Sequence, residues 1–221
     1  MTAPRVLVFD LDGTLVPTMD DYADCAAHLM KRYFGTPFAR ARRDYFRTSG
    51  LPFEQQLRQL YPAHDDTDAV ARLFEAWKDD YLRNIDLSPA TAELLAKWQW
   101  KGFRIAISSN NLETYVERLA QEWPVDIALG YRPGNSDMPP FAKGEAHFRF
   151  LEQRFGHERT TFLFTGDSPN DARIAQAAHV PFRALLTDHF TAQDFDGVVP
   201  GTLTVQRISE IVPAFINVKS V

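Results

Sequence analysis

Four apolar residues, Val6-Leu7-Val8-Phe9, run straight into Asp10, and Asp12 follows two positions later. An ionised carboxylate is costly to bury unless a cation or hydrogen-bond donors meet it. Other apolar runs also end in polar groups. Ser109-Asn110-Asn111 follows RIAIS, and Gly166-Asp167-Ser168-Pro169-Asn170-Asp171 follows TFLFT. Lys143 stands between a Pro-Pro turn and Gly144, ahead of a helical pattern. Carboxylates that converged bare would raise one another's pKa. A hard divalent cation removes that conflict, and Mg2+ typically takes one or two carboxylates together with waters and a substrate phosphate. A hydroxyl, an amide and a lysine acting as a point charge are the donors a phosphate wants. An aspartate aimed at phosphorus can serve as a covalent nucleophile.

These groups need strands to deliver them to one rim. Short apolar runs recur at RVLVF (5–9), RIAIS (104–108), DIAL (126–129), TFLFT (161–165), FRALL (182–186) and GVV (197–199). They lack polar alternation, as expected of strands covered on both faces. Helical patterns separate most of them. One begins at Ser88-Pro89, a cap followed by proline at the first helical position, and stops at Gly102. Another, KGEAHFRFLEQRFG, places Phe148, Leu151 and Phe155 on one face and ends in Gly156. Alternating strand and helix predicts an α/β fold with a Rossmann-like parallel sheet, whose ligands bind beyond the carboxyl ends of the strands.

Residues 10–103 break the rhythm with no convincing strand. Tyr22, Ala26, Leu29, Met30 and Tyr33 share a helical face, as do Val70, Leu73, Phe74, Trp77 and Tyr81. A single crossover needs only a few dozen residues, so the surplus reads as an inserted helical cap domain, 17–87, within a core of 1–16 and 88–221. Because it leaves the sheet just after the two aspartates, it is expected to lie over them.

Composition narrows the class. The chain of 221 residues is 45% hydrophobic and 24% charged, ordinary for a globular protein, and its formal net charge of -5 argues against a nucleic-acid partner. Its apolar runs are too short to span a bilayer, so no membrane is expected. The first residues enter a strand without room for a leader, which predicts a cytoplasmic protein. The single cysteine, Cys25, cannot form an internal disulfide and reads as core filler on a helix. The six histidines show no metal-ligand spacing and read as structural or surface residues.

Asp10-Leu11-Asp12-Gly13-Thr14-Leu15, the pair Ser109-Asn110, Lys143 and Gly166-Asp167-Ser168-Pro169-Asn170-Asp171 resemble, in order and strand context, the four motifs of the haloacid dehalogenase superfamily. The inserted helices resemble the cap of its phosphoglycolate phosphatase and beta-phosphoglucomutase branch. True dehalogenases lack the second aspartate of the first motif, whereas Asp12 is kept here. The resemblance therefore implies a Mg2+-dependent phosphatase acting on a small phosphorylated substrate. By it, Asp10 is the nucleophile and a metal ligand. Asp12 is the acid–base group, and its backbone carbonyl binds the metal. Asp167 is the third ligand, and Asp171 holds metal-bound water or orients Lys143. Ser109, with Asn110 close by, and Lys143 bind phosphate. Ser108 is the rival hydroxyl. Gly13 and Thr14 shape a turn whose amides are expected to face the phosphate. The family often has proline after this lysine, where Gly144 stands here.

Arg40, Arg43 and Arg47 share a cap-helix face, and Arg47 borders the loop where Thr48-Ser49-Gly50 and Pro52 break the helical pattern. Relatives of this cap type place such a loop over the active site, so Arg47 is the candidate contact for the rest of the substrate. A phosphomutase shares the same core. A phosphonatase would need a cap lysine, for which Lys31 and Lys78 lie on helices that look ordinary. A receiver-type phosphoacceptor module shares the aspartate, hydroxyl and lysine, but it is about half as long and lacks the insertion. A non-catalytic Mg2+-binding scaffold would leave Asp12 without a role. The sequence names neither the substrate nor the oligomeric state.

Overall fold

The structure, a computed structural model, describes residues 4–211. The chain divides into two compact units, Pro17–Ile85 and the remainder. The remainder holds β1 (Val6–Phe9), β2 (Arg104–Leu112), β3 (Ile127–Tyr131), β4 (Phe162–Gly166), β5 (Phe182–Leu185) and β6 (Thr204–Val205). They form one parallel sheet in the order β3-β2-β1-β4-β5-β6. β1 lies at the centre, with Phe9 in register with Ile107 on one side and Thr165 on the other. Asp10 therefore emerges between the carboxyl ends of two neighbours, as this sheet class requires of a ligand site.

The inserted unit contains α1 (Met19–Phe34), α2 (Phe38–Thr48), α3 (Phe53–Leu60) and α4 (Thr67–Leu82). α1 packs on α2 and α4, and α3 packs on α4. Aromatic rings fill the space between them: Phe53 and Phe74 stand 4.2 Å apart, and Tyr22 meets Phe74 edge-on at 5.9 Å. The tight link between α2 and α3 is pinned from within. Thr48 donates to Gln56 Oε1 (2.9 Å), and Gln56 donates to the Leu51 carbonyl (2.9 Å).

One stripe differs from the sequence expectation. Leu73 is 45% exposed, while Lys78 is buried. Phe74, Lys78 and Leu82 are spaced four apart and face inward together, whereas Leu73 lies about a hundred degrees away around the helix. Lys78 pairs with Glu75 at 3.2 Å and lies over the rings of Tyr22 and Phe74 at 5.4 and 5.5 Å. It is not an ordinary surface lysine.

The sheet is covered by α5 (Pro89–Trp100), α6 (Glu113–Ala120), α7 (Glu145–Phe155), α8 (Pro169–Ala177) and α9 (Ala192–Asp196). Ser88 caps α5 by accepting from the Thr91 amide, with Pro89 at the first turn. Val6, Val8, Ala106, Phe162 and Phe164 pack with Phe148 and Leu151 of α7 and Ala175 of α8. Phe9, on the opposite face, stacks on Trp98 of α5 at 6.0 Å. Double burial explains the lack of polar alternation in these strands.

Two strand expectations are corrected. GVV (197–199) is a turn: the Val198 and Val199 amides donate to the Phe195 carbonyl, closing the end of α9. Their side chains join the Phe195 cluster without entering a ladder. The sixth strand is Thr204–Val205 instead, paired with Ala184 and Leu185. β2 also continues past Ser108 to Leu112, with an irregular register against β3 between those residues.

Candidate active site

Each candidate side chain of the core unit sits at a strand end or a helix start. β1 delivers Asp10, after which the chain tightens into a turn around the Leu11 carbonyl, which accepts from Thr14, Leu15 and Val16. The Gly13 amide donates to the Val16 carbonyl at 2.8 Å. Gly13 and Thr14 thus shape the turn, and their own amides are taken up inside it.

Lys143 bridges two carboxylates. Its Nζ donates to Asp10 Oδ1 at 2.6 Å and to Asp171 Oδ1 at 2.8 Å. All three side chains are buried. Its backbone is held as well, since the Lys143 amide donates to Asn110 Oδ1 at 3.1 Å. Asn110 therefore positions the lysine through its side-chain oxygen. Gly144 explains the departure from proline at this place: its φ of 118° is closed to proline, whose ring fixes φ near −65°. That conformation opens α7 immediately behind the lysine.

Asp171 is the third residue of α8. It forms a capping box with Ser168, its Oδ2 accepting from the Ser168 hydroxyl and amide. One oxygen is committed to the helix start and the other to Lys143.

The carboxylates of Asp10, Asp167 and Asp171 bring oxygen atoms within 4.8 Å of one another. Burial, with Asp171 and Asp12 nearby, outweighs the attraction of Lys143 and pushes the Asp10 pKa up to about 7. Burial, followed by the charges of Asp10 and Asp171, raises Asp167 well above the carboxylate range. Burial opposes the charge on Lys143, but Asp10 and Asp171 prevail and hold its pKa above the usual lysine value. One lysine thus serves a cluster with more acid than it can neutralise. Asp167 Oδ2 is buried without a hydrogen-bond partner. A buried acceptor in that state implies a missing donor or ion, and an all-oxygen donor set suits a hard divalent cation.

Beyond this cluster, Ser108 and Ser109 point apart. Ser108 Oγ bonds His147 Nδ1 at 2.9 Å, and His147 Nε2 reaches the Gly130 carbonyl at 3.2 Å, so that hydroxyl is engaged by α7. Burial holds the His147 pKa down at about 3, which keeps the ring neutral and fixed by two bonds. Ser109 Oγ accepts from the Asn111 amide at 3.0 Å. Asn111, to which sequence reasoning gave no role, donates from Nδ2 to Asp12 Oδ2 at 2.5 Å. The only sequence signal was a second asparagine beside the first. Thr14 Oγ1 and Thr165 Oγ1 are likewise buried without partners.

Arg47 lies in the helical unit, paired with Asp44 at 2.9 Å and with a side chain 69% exposed. Cys25 is half-buried, and burial pushes its thiol up to about 12, far from a reactive thiolate. Among the described residues no helix is long and apolar enough to cross a membrane.

Residues 7–185 match the model of the haloacid dehalogenase-like hydrolase family. Phosphoglycolate phosphatase 1 of Pseudomonas aeruginosa is 27% identical over 218 residues, covering 95% of this chain and 79% of that protein. The phosphoglycolate phosphatase of Pseudomonas syringae pv. tomato is 29% identical over 191 residues, covering 82% and 69%. A haloacid dehalogenase-like family hydrolase of Streptococcus pneumoniae superposes with a TM-score of 0.72 at 17% identity, covering 92% and 95%. Strand-end aspartates on a parallel sheet and a helical insertion after the first of them agree with a match over most of the chain: the protein belongs to the haloacid dehalogenase-like hydrolase family.

Proposed function

We propose that this phosphatase is a Mg2+-dependent phosphomonoesterase that works through an aspartyl-phosphate on a small phosphorylated metabolite such as phosphoglycolate. The observation that carries the reading is Asp10, buried at the end of the central strand. Lys143 holds one of its oxygens while the orphaned Asp167 Oδ2 lies in the same acidic cluster. Similarity to phosphoglycolate phosphatases at 27–29% identity supports the substrate class. Mg2+ would be held by Asp10, Asp167 and the Asp12 backbone carbonyl, where it would neutralise the clustered carboxylates and the charge on a transferring phosphoryl group.

The chain's own groups divide the work. An Asp10 oxygen attacks phosphorus, and the bond from phosphorus to the ester oxygen breaks. Asp12 gives that oxygen its proton, so the alcohol leaves neutral. Asp12, now a carboxylate, takes a proton from water as the water oxygen attacks phosphorus. The bond to Asp10 then breaks, and inorganic phosphate leaves. Lys143 and Ser109 supply a positive charge and a hydroxyl to the phosphate oxygens. Asn110 fixes the lysine from behind, and Asp171 aims its ammonium. Arg47 contacts an anionic or hydroxyl group elsewhere on the substrate. The reading places the enzyme in the cytoplasm, consistent with its single cysteine.

The test is phosphate release from a metabolite panel with and without Mg2+, with Asp10→Asn as the blank. Release should require Mg2+, stop in chelator and vanish in the blank. With an aryl phosphate, which needs little protonation to leave, Asp12→Asn should accumulate an acyl-phosphate on Asp10 and turn over about 10²–10⁴-fold more slowly. Mass spectrometry showing the adduct on another residue, or full activity in chelator, would overturn the reading.

A further inference from the structure

We propose that Asn111 is a positioning residue for Asp12, holding one carboxylate oxygen so that the other meets the leaving group. The inference rests on the reading of Asp12 as the acid–base group, and it gives a role to a side chain that neither the acidic cluster nor the phosphate donors include. Asn111 Nδ2 donates directly to Asp12 Oδ2, at 2.5 Å. Asn111 is 4% exposed, so water does not compete freely for that bond. An amide suits this role because it brings no net charge to a crowded acidic site and takes no proton from the group it aims.

The anchor is itself immobilised. The irregular register of β2 between Ser108 and Leu112 falls on the segment that carries Asn111. Bulges of this kind re-aim side chains at strand ends. The Asn111 amide is tied to Ser109 Oγ at 3.0 Å, within the same short segment. Behind it runs Gly130 of β3. A Cβ placed there would lie 2.3 Å from the Glu113 Cα and 2.9 Å from the Asn111 carbonyl oxygen, so only glycine lets the two backbones pass. His147 ties the same two strands together through Ser108 Oγ and the Gly130 carbonyl. Asp12 lies just past the end of β1, in the turn around the Leu11 carbonyl. The bond from Asn111 fixes one of its carboxylate oxygens. A catalytic group displaced by about 1 Å loses on the order of 10²-fold, which bounds what this anchor contributes.

Two substitutions and one double variant test the proposal, with phosphoglycolate as the probe. Asn111→Asp keeps the shape but replaces the donor with a carboxylate facing Asp12, while Asn111→Ala removes donor and volume together. Both should lower kcat by about 10- to 100-fold with KM changed less than about threefold, and the isosteric aspartate should be at least as damaging as alanine. In an Asp12→Asn background, Asn111→Ala should cost less than about twofold more, because there is no acid–base group left to aim. Equal losses from Asn111→Ala in both backgrounds, or an Asn111→Asp variant near wild type, would show that Asn111 only fills space and would sink the proposal. That result leaves Asp12 as the acid–base group. An Asp12→Asn variant with unchanged kcat would instead remove the acid–base reading and this proposal together.

Discussion

The rim of the sheet and the helical unit handle charge in opposite ways. At the rim, Lys143 has a side chain only 3% exposed and is shared between Asp10 and Asp171, so displacing it would take the cation from two buried carboxylates at once. In the helical unit, Arg40 and Arg47 both pair with Asp44, yet their side chains remain 71% and 69% exposed. Aromatic rings line that unit's interior, and Lys78, paired with Glu75, lies over two of them. Buried charges are strongly coupled and costly to break, whereas exposed pairs are worth about 0–1 kcal/mol. The contrast teaches that the chemical machinery is fixed in geometry. The exposed arginines can be exchanged at little cost in stability.

Breaking the buried network should produce the largest effect. Lys143→Met keeps the stem but leaves Asp10 and Asp171 without their cation, and loss of one partner from a buried ion pair typically costs about 3–5 kcal/mol. Urea denaturation should show a loss of that size at pH 8 and a smaller one at pH 5, where the carboxyls can protonate. Mg2+ should recover part of it. An unchanged midpoint would mean that the three groups are less coupled than their distances indicate.

Next comes the exposed side of the comparison. Arg47→Ala should leave stability within about 0.5 kcal/mol of wild type. If the arginine touches the substrate, losing a charge-assisted bond costs roughly 1.5–3 kcal/mol, or about ten- to a hundredfold in kcat/KM on the natural substrate. A small aryl phosphate should hardly notice the change. Equal losses on both substrates would make Arg47 structural, and no loss on either would make it a solvated surface charge.

The smallest effect sharpens the electrostatics of the rim. Asp10 holds its proton up to about pH 7, well above its ordinary value of 3.8. A carboxyl raised in this way contributes stability that is fully present below the unfolded value and lost as pH rises through the folded one. In the metal-free protein that loss falls between about pH 4 and 7. Below pH 7 Mg2+ must displace this proton, so its affinity should rise about tenfold from pH 6 to pH 8. Calorimetric titration of the metal alone measures this directly. Affinity independent of pH would show that Asp10 is already ionised before the cation arrives.

The residues differ in how far the sequence announces them. Asp10, Asp12, Lys143, Asp167 and Asp171 stand out because carboxylates just after apolar strands are costly without a cationic partner, and a lysine ahead of the next helix can supply one. The parallel sheet was equally legible, since strands buried on both faces must be apolar throughout and the helices between them must be amphipathic. The insertion showed itself as an interval too long for one crossover. GVV misled because valines that plug a cluster look the same in sequence as valines in a ladder. Lys78 misled because a helical stripe drawn through Leu73 is rotated from the one that Phe74 and Leu82 define.

What the sequence by itself determined about this protein is a set of candidate reacting groups, their order along the chain and the sheet that carries them. Tertiary structure alone decided which hydroxyl of Ser108 and Ser109 is engaged by His147, which asparagine of Asn110 and Asn111 meets Lys143 and which meets Asp12, and why Gly144 can stand where proline is usual. Adjacent residues on a strand point to opposite faces, and a bulge within β2 shifts that alternation in a way no local pattern records. The partners are remote, with Asp12 and Asn111 lying 99 positions apart and Ser108 and His147 lying 39 apart. Their pairing is set by where packed backbones cross, and that is a property of the folded chain alone.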